Sequence, residues 1–306
     1  MEKLPKLVVI VGPTASAKTD LAIALAKKYN GEIVSADSRQ IYRELSIGTA
    51  KPAGEWVEDK YLVAGVPYHL VDCVDPTTSY TLADFKRDAL AAIQDIICRG
   101  KVPFLVGGTG LYIAAIVDNL DIPDVPPDAD LRQSFEKLSL TELQKLIKER
   151  DPVTAAVIDR QNPRRLIRAL EVATLSGESF RAQQTKSPAL FQTLQIGLAW
   201  PKDILEARIE KRLKIQIEQG FVEEVQALWK KYGSAVVPSL TSIGYQPFVS
   251  YLSGEMNLPE TLRLVWYQTR QYAKRQMTWF KRDSRIHWIA GADQSTADDL
   301  VKFFLA

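Results

Sequence analysis

Two histidines and two cysteines are all that this chain of 306 residues offers to the usual zinc and thiol chemistries. His69 and His287 leave almost nothing from which to build a zinc cluster or a Ser-His-Asp triad. Cys73 and Cys98 have no metal-like spacing, and two free, buried thiols are expected. No apolar run approaches the roughly eighteen residues of a membrane span. The apolar stretch 7–11 is short and lacks the basic-then-apolar layout of a signal peptide, so a cytoplasmic protein is expected. Repeats and low-complexity tracts are absent. Net charge is also scarce, at +2 from 39 Lys and Arg against 37 Asp and Glu, and gives no general pull towards nucleic acid.

Basic charge is instead localised. Arg160, Arg164, Arg165 and Arg168 fall within nine residues, and seven Lys or Arg crowd 263–285 with only Asp283 against them. Patches of this kind on a nearly neutral chain fit a polyanion bound at defined sites. With 46% hydrophobic and 25% charged residues, the chain has the make-up of a globular protein and can bury a large core.

Residues 12–19 read Gly-Pro-Thr-Ala-Ser-Ala-Lys-Thr, after the strand-like 7–11 and at the start of the amphipathic stretch 18–29. Strand, loop and helix in that order form a phosphate-binding loop. The backbone N–H groups of Gly12, Pro13, Thr14, Ala15, Ser16 and Ala17 (Pro13 excepted, having none) and the helix N-terminus would hold a diphosphate. Lys18 would balance its charge and the Thr19 hydroxyl would ligate Mg²⁺. The usual pattern has glycine where this chain has Ala17, and a methyl there is expected to crowd the phosphates. Asp37 lies just past a second strand, 33–35, at the same sheet edge. A carboxylate beside phosphate suits a general base or a Mg²⁺ partner, not an anion cradle.

Strand and helix patterns alternate through 1–118: a strand at 68–71, a helix at 81–99 opened by Thr81 and Asp84, a strand at 102–106, and the turn Gly107-Gly108-Thr109-Gly110 before a helix at 111–118. The proline-rich 119–127 breaks this pattern, and helical patterns alone follow to about 174. A strand near 194–200 and helices at 202–219, 221–232, 259–280 and 297–305 complete the chain, with a short strand at 286–289. The expected organisation is an α/β core at 1–118 and 193–306 with an all-helical insertion at 119–192. No long apolar stripe is left over, so a monomer is expected.

Six segments taken together resemble the bacterial tRNA dimethylallyltransferases (tRNA delta-2-isopentenylpyrophosphate transferases). They are the loop at 12–19, Ala-Asp-Ser at 36–38, Ile-Gly-Thr-Ala-Lys-Pro at 47–52, Val-Gly-Gly-Thr-Gly-Leu-Tyr at 106–112, Asn-Pro-Arg-Arg-Leu-Ile-Arg-Ala-Leu-Glu at 162–171 and Thr-Arg-Gln-Tyr-Ala-Lys-Arg-Gln-Met-Thr-Trp-Phe at 269–280. The resemblance implies a P-loop NTPase-like parallel sheet flanked by helices, and transfer of a dimethylallyl group from its diphosphate to N6 of the adenosine 3′ of the anticodon. It implies Mg²⁺ on Thr19, with Lys18 and Arg212 stabilising the leaving diphosphate. Asp37 would be the base, and Asp37, Ser38, Arg39 and Gln40 would read the flipped adenine and its neighbour. It assigns tRNA contacts to Thr109, Arg132, Gln161, Asn162, Pro163, Arg164 and Arg165, and to Thr241, Ser242, Ile243, Gly244, Tyr245 and Gln246. The family often carries basic residues near both ends of that last segment, and this chain does not.

Three rivals compete with this reading. A small-molecule kinase would explain the phosphate loop but leaves the arginine cluster without a job. An adenylate isopentenyltransferase would prenylate free AMP, ADP or ATP and needs no anticodon grip. A non-catalytic tRNA-binding protein would not need Asp37 beside a diphosphate loop.

Overall fold

The structure, a computed structural model, describes residues 4–233 and 242–306. It divides into two compact units, one of 1–117 and 190–306 and the other of 118–189.

The first unit is built on an eight-stranded sheet. Its strands are β1 (Lys6–Val11), β2 (Gly31–Ser35), β3 (Glu55–Val57), β4 (Lys60–Val63), β5 (Val66–His69), β6 (Val102–Gly107), β7 (Gln192–Ala199) and β8 (Ile286–Ala290), in the order β3-β4-β5-β2-β6-β1-β7-β8. The six strands from β5 to β8 pair in parallel, and β3, β4 and β5 pair antiparallel. β1 sits between β6 and β7 and is almost wholly apolar, as a strand covered on both faces must be. Its pleat sends Val8 and Ile10 to one face, against Leu21 and Leu25 of helix α1 (Lys18–Lys28), and Leu7 and Val9 to the other. There Phe85, Ala89, Ile93 and Ile96 of helix α2 (Leu82–Cys98) cover them, with helix α3 (Gly110–Val117) alongside. The expected capping box of α2 forms, with the Thr81 hydroxyl accepting from Asp84 N–H and the Asp84 carboxylate from Thr81 N–H.

Three differences from the sequence reading stand out. The strand expected at 68–71 runs instead over Val66–His69, because Leu70 and Asp72 take positive φ (57° and 53°) that no strand accommodates. The β3–β4 hairpin was not expected at all; its strands are three and four residues long, too short for alternation to show. Cys98 is also exposed, not buried, while Cys73 is half-buried, and both thiols are free.

The C-terminal part of this unit adds helices α9 (Lys202–Glu218), α10 (Phe221–Tyr232), α11 (Tyr245–Leu252), α12 (Leu258–Phe280) and α13 (Gln294–Leu305). Phe221, Val225, Phe248 and Val265 form a core of their own with Ile41 and Leu45 from the segment after β2. The second unit holds helices α4 (Ala129–Glu136), α5 (Leu140–Arg150), α6 (Pro152–Ala155), α7 (Pro163–Ser176) and α8 (Phe180–Gln183), packed on Phe135, Leu143, Ile147, Leu166 and Leu170. No helix of the described residues is long and apolar enough to cross a membrane.

Candidate active site

Three loops leave the carboxyl edge of the sheet side by side: the phosphate loop after β1, the Asp37 turn after β2 and the glycine turn after β6. β6 lies between β1 and β2, so the glycine turn separates the other two and must be thin. Any Cβ at Gly107 would collide with the Ala36 carbonyl, and one at Gly108 with the Gln276 side chain. The loops and helices α9 and α12 enclose a cavity of about 600 Å³. Residues 14–19, Asp37, Ser38, Arg39, Gln40 and Arg212 all line it, as do Ser242, Ile243, Gly244 and Tyr245.

Asp37 Oδ1 accepts the Arg39 and Gln40 N–H groups at 2.9 and 3.2 Å, which closes the turn and fixes the carboxylate. Thr109 stands behind this turn, its hydroxyl accepting the Ser38 N–H at 3.1 Å. Lys18 Nζ donates to the Pro13 carbonyl at 2.7 Å. Burial pushes its ammonium down to about 8, with Arg212 adding to the fall and Asp37 opposing it. Burial also lowers the Arg212 guanidinium, which donates to the Thr14 hydroxyl at 2.8 Å. Two crowded cations that would gain from an anion face the same space as one carboxylate. Tyr68 also lines the cavity, and burial holds its phenol well above the ordinary value.

Ala17 caps α1 in the left-handed conformation, φ 67° and ψ 30°. It therefore carries a conformational cost of about 1 kcal/mol for a residue with a Cβ. The oxygen donors Thr19 and Asp37 are of the hard kind that suits Mg²⁺. Among the described residues no group of three or more His, Cys, Asp or Glu could hold an ion. That arrangement fits a metal bound through one or two protein oxygens, its own waters and substrate phosphates.

The family described as IPP transferase matches over residues 40–283, and that described as isopentenyl transferase over residues 5–62. The chain is 41% identical to tRNA dimethylallyltransferase 2 of Geotalea uraniireducens (strain Rf4), across 98% of this chain and 97% of that one. The chain belongs to the IPP transferase family. Among solved relatives, the tRNA isopentenylpyrophosphate transferase of Bacillus halodurans superposes with a TM-score of 0.72 at 36% identity, covering 98% of this chain and 96% of its own. A eukaryotic dimethylallyltransferase captured acting on tRNA gives 0.77 at 25% identity, covering 98% of this chain and 77% of its own.

The cavity of this IPP transferase is also lined by side chains that sequence reasoning passed over. Thr269, Tyr272 and Gln276 sit at i, i+3 and i+7 on α12, and Arg208 and Gln216 lie one turn either side of the expected Arg212 on α9. A polar stripe at helical spacing was the available signal. Gln276 is nearly buried; its carbonyl accepts the Thr14 N–H at 2.8 Å and its amide donates to the Gly108 carbonyl at 2.9 Å, tying two loops together. Glu224 accepts the N–H groups of Ser46, Ile47 and Gly48 at 2.7–3.0 Å and the Tyr245 hydroxyl at 2.7 Å. Tyr245 is fully buried, and its hydroxyl braces this loop through Glu224. Gln246 is exposed, and Thr241 lies outside the described residues.

In the helical unit the four clustered arginines part ways. Arg160 donates to the Ala155 carbonyl, and Arg168 to Glu171 and the Val125 carbonyl. Arg132 is bound to Glu171 as well. Arg164 and Arg165 are exposed and have no side-chain partner among the described residues, next to the exposed Gln161. Asn162 caps α7, its side chain accepting from the Arg165 N–H, with Pro163 in the first turn.

Proposed function

We propose that this IPP transferase moves the dimethylallyl group of dimethylallyl diphosphate to N6 of the adenosine 3′-adjacent to the anticodon of a tRNA, giving N6-isopentenyladenosine and diphosphate. The observation that carries the reading is a single cavity lined by the phosphate loop, Lys18, Arg212 and the Asp37 carboxylate.

The loop N–H groups, Lys18 and Arg212 hold the diphosphate, and the neutral prenyl chain occupies the remaining space. As the allylic C–O bond breaks, its electron pair goes to the diphosphate oxygen, where the two cations meet the growing charge. N6 forms the new C–N bond on the opposite side of that carbon. Its proton passes to Asp37, which the Arg39 and Gln40 amides keep in place. Mg²⁺ held at Thr19 would supply further charge neutralisation on the diphosphate. The adenine must leave the loop stack to reach the cavity, so the substrate is an unstacked base with its anticodon loop held elsewhere. Arg164 and Arg165, unpaired and exposed, are the cations available for that grip.

Labelled dimethylallyl diphosphate incubated with unmodified tRNA, AMP or ATP tests the reading. Label in tRNA alone is expected. Label in AMP or ATP, or phosphoryl transfer from ATP, would replace it with one of the rivals.

A further inference from the structure

Ala15 and Ala17 both sit at positive φ, 62° and 67°, in the loop that must present its amides to diphosphate. Glycine enters that region freely and alanine does not. The loop's own preference therefore runs against the shape its ligand needs, and the bias has to come from outside the loop.

Two side chains from the β7–α9 region supply it. Trp200 Nε1 donates to the Ser16 carbonyl at 3.1 Å, and Arg208 Nε donates to the Ala15 carbonyl at 2.7 Å. The Arg208 guanidinium carbon lies 4.4 Å from the Trp200 ring centroid, a cation–π stack that holds the two donors as one piece. A trans peptide points its C=O and the following N–H in opposite directions. Holding the Ala15 carbonyl thus fixes the direction of the Ser16 N–H, and holding the Ser16 carbonyl fixes that of the Ala17 N–H. Both residues line the cavity.

We infer that Trp200 and Arg208 are positioning residues that aim the Ser16 and Ala17 amides at the diphosphate and hold an alanine-bearing loop in a glycine-like shape. The inference rests on the diphosphate reading of the cavity. Arg208 also lines the cavity and could reach the anion directly; Trp200 does not line it and acts through the loop alone.

The decisive variants are Trp200→Phe, which keeps a ring and removes the N–H, and Arg208→Lys, each made alone and together with Ala17→Gly. Inorganic diphosphate binding is measured by calorimetry, dimethylallyl transfer to tRNA by steady-state kinetics, and the amide resonances of residues 16 and 17 by NMR without ligand. Trp200→Phe is expected to weaken diphosphate binding about three- to tenfold, the worth of one hydrogen bond. The KM for dimethylallyl diphosphate should rise by the same factor with kcat unchanged, and the two amides should shift or split. Adding Ala17→Gly should restore most of the affinity and a single pair of resonances. Equal losses with and without Ala17→Gly would overturn the inference, as would unmoved amide resonances. A lower melting temperature with neither change would leave Trp200 as packing over Gly291, and would overturn it too. If the unsubstituted protein binds no diphosphate, the diphosphate reading falls, and the ligand-free resonances still decide whether the clamp shapes the loop.

Discussion

Arg132 and Glu171 form a two-pronged ion pair, with N–O distances of 2.8 and 2.9 Å around a carboxylate that has no solvent exposure. Burial would raise the Glu171 carboxyl; hydrogen bonds from Arg132 and Arg168 overcome that and hold it below its ordinary value. Arg132, assigned to tRNA on the family resemblance, thus also serves to pair a buried carboxylate of the helical unit. Arg132→Ala should cost about 1–3 kcal/mol of stability by leaving part of that charge unsatisfied. The salt dependence of tRNA binding should not change. A slope flattened by a full contact would return Arg132 to the RNA.

Arg164 and Arg165 should behave in the opposite way. Changing both to alanine removes no internal bond, so the melting temperature should hold. The salt slope of tRNA affinity should flatten by about 0.7–0.9 per lost phosphate contact, up to two contacts. Binding measured at two salt concentrations checks this, and parallel slopes for the two proteins would exclude both residues from the RNA.

Asp37 has two jobs that one substitution can separate. Asn at this position keeps an oxygen to accept the Arg39 and Gln40 amides but cannot take a proton. Asp37→Asn should lower kcat about 10²–10⁴-fold with diphosphate binding near normal at neutral pH. Asp37→Ala should also loosen the turn. An Asn variant that keeps more than a tenth of the rate would remove Asp37 from proton transfer.

Lys18 gives the site a pH limit. Its folded value of about 8 lies below the ordinary 10.5, so the ammonium that diphosphate needs is present below about 8 and lost as pH rises through it. Diphosphate affinity should therefore fall above pH 8. Binding just above pH 8 should take up a proton, visible by calorimetry in buffers of different ionisation enthalpy. Lys18→Gln should bind weakly and lose the proton uptake.

Glu224 governs the site from a distance. Its three backbone bonds and the Tyr245 bond hold the loop whose Thr49 and Ala50 carbonyls accept the Gln40 side chain. Glu224→Ala should cost roughly 2–3 kcal/mol of stability and raise the KM for dimethylallyl diphosphate. Glu224→Gln, which keeps an acceptor, should recover part of both. Unchanged KM in a destabilised Ala variant would make the loop irrelevant to binding.

Local signals were legible wherever a residue's role depends on its neighbours in the chain. The Thr81–Asp84 box, the Asn162–Pro163 helix start and the strand–loop–helix at the phosphate loop are each set within a few residues. Roles that depend on a distant partner were not legible. Nothing near Arg132 announces Glu171, and nothing in the segment 241–246 says that Tyr245 turns inward to Glu224. The left-handed Leu70 and Asp72 that cut β5 short belong to residues for which such conformations are uncommon, so the sequence carries no mark of them.

By itself the sequence determined the family, the alternation of strands and helices, and the identity of the groups proposed to meet diphosphate and N6. Apolar periodicity, capping residues and a contiguous phosphate motif are short-range properties, and a chain carries them openly. Strand order was decided only by the tertiary structure. Inserting β6 between β1 and β2 brings the Asp37 turn and the phosphate loop to opposite sides of a glycine turn too thin to separate them. The same packing set Arg208, Arg212 and Gln276 against that edge from helices remote in sequence. Such pairings depend on burying whole faces at once, and no segment read alone contains the information.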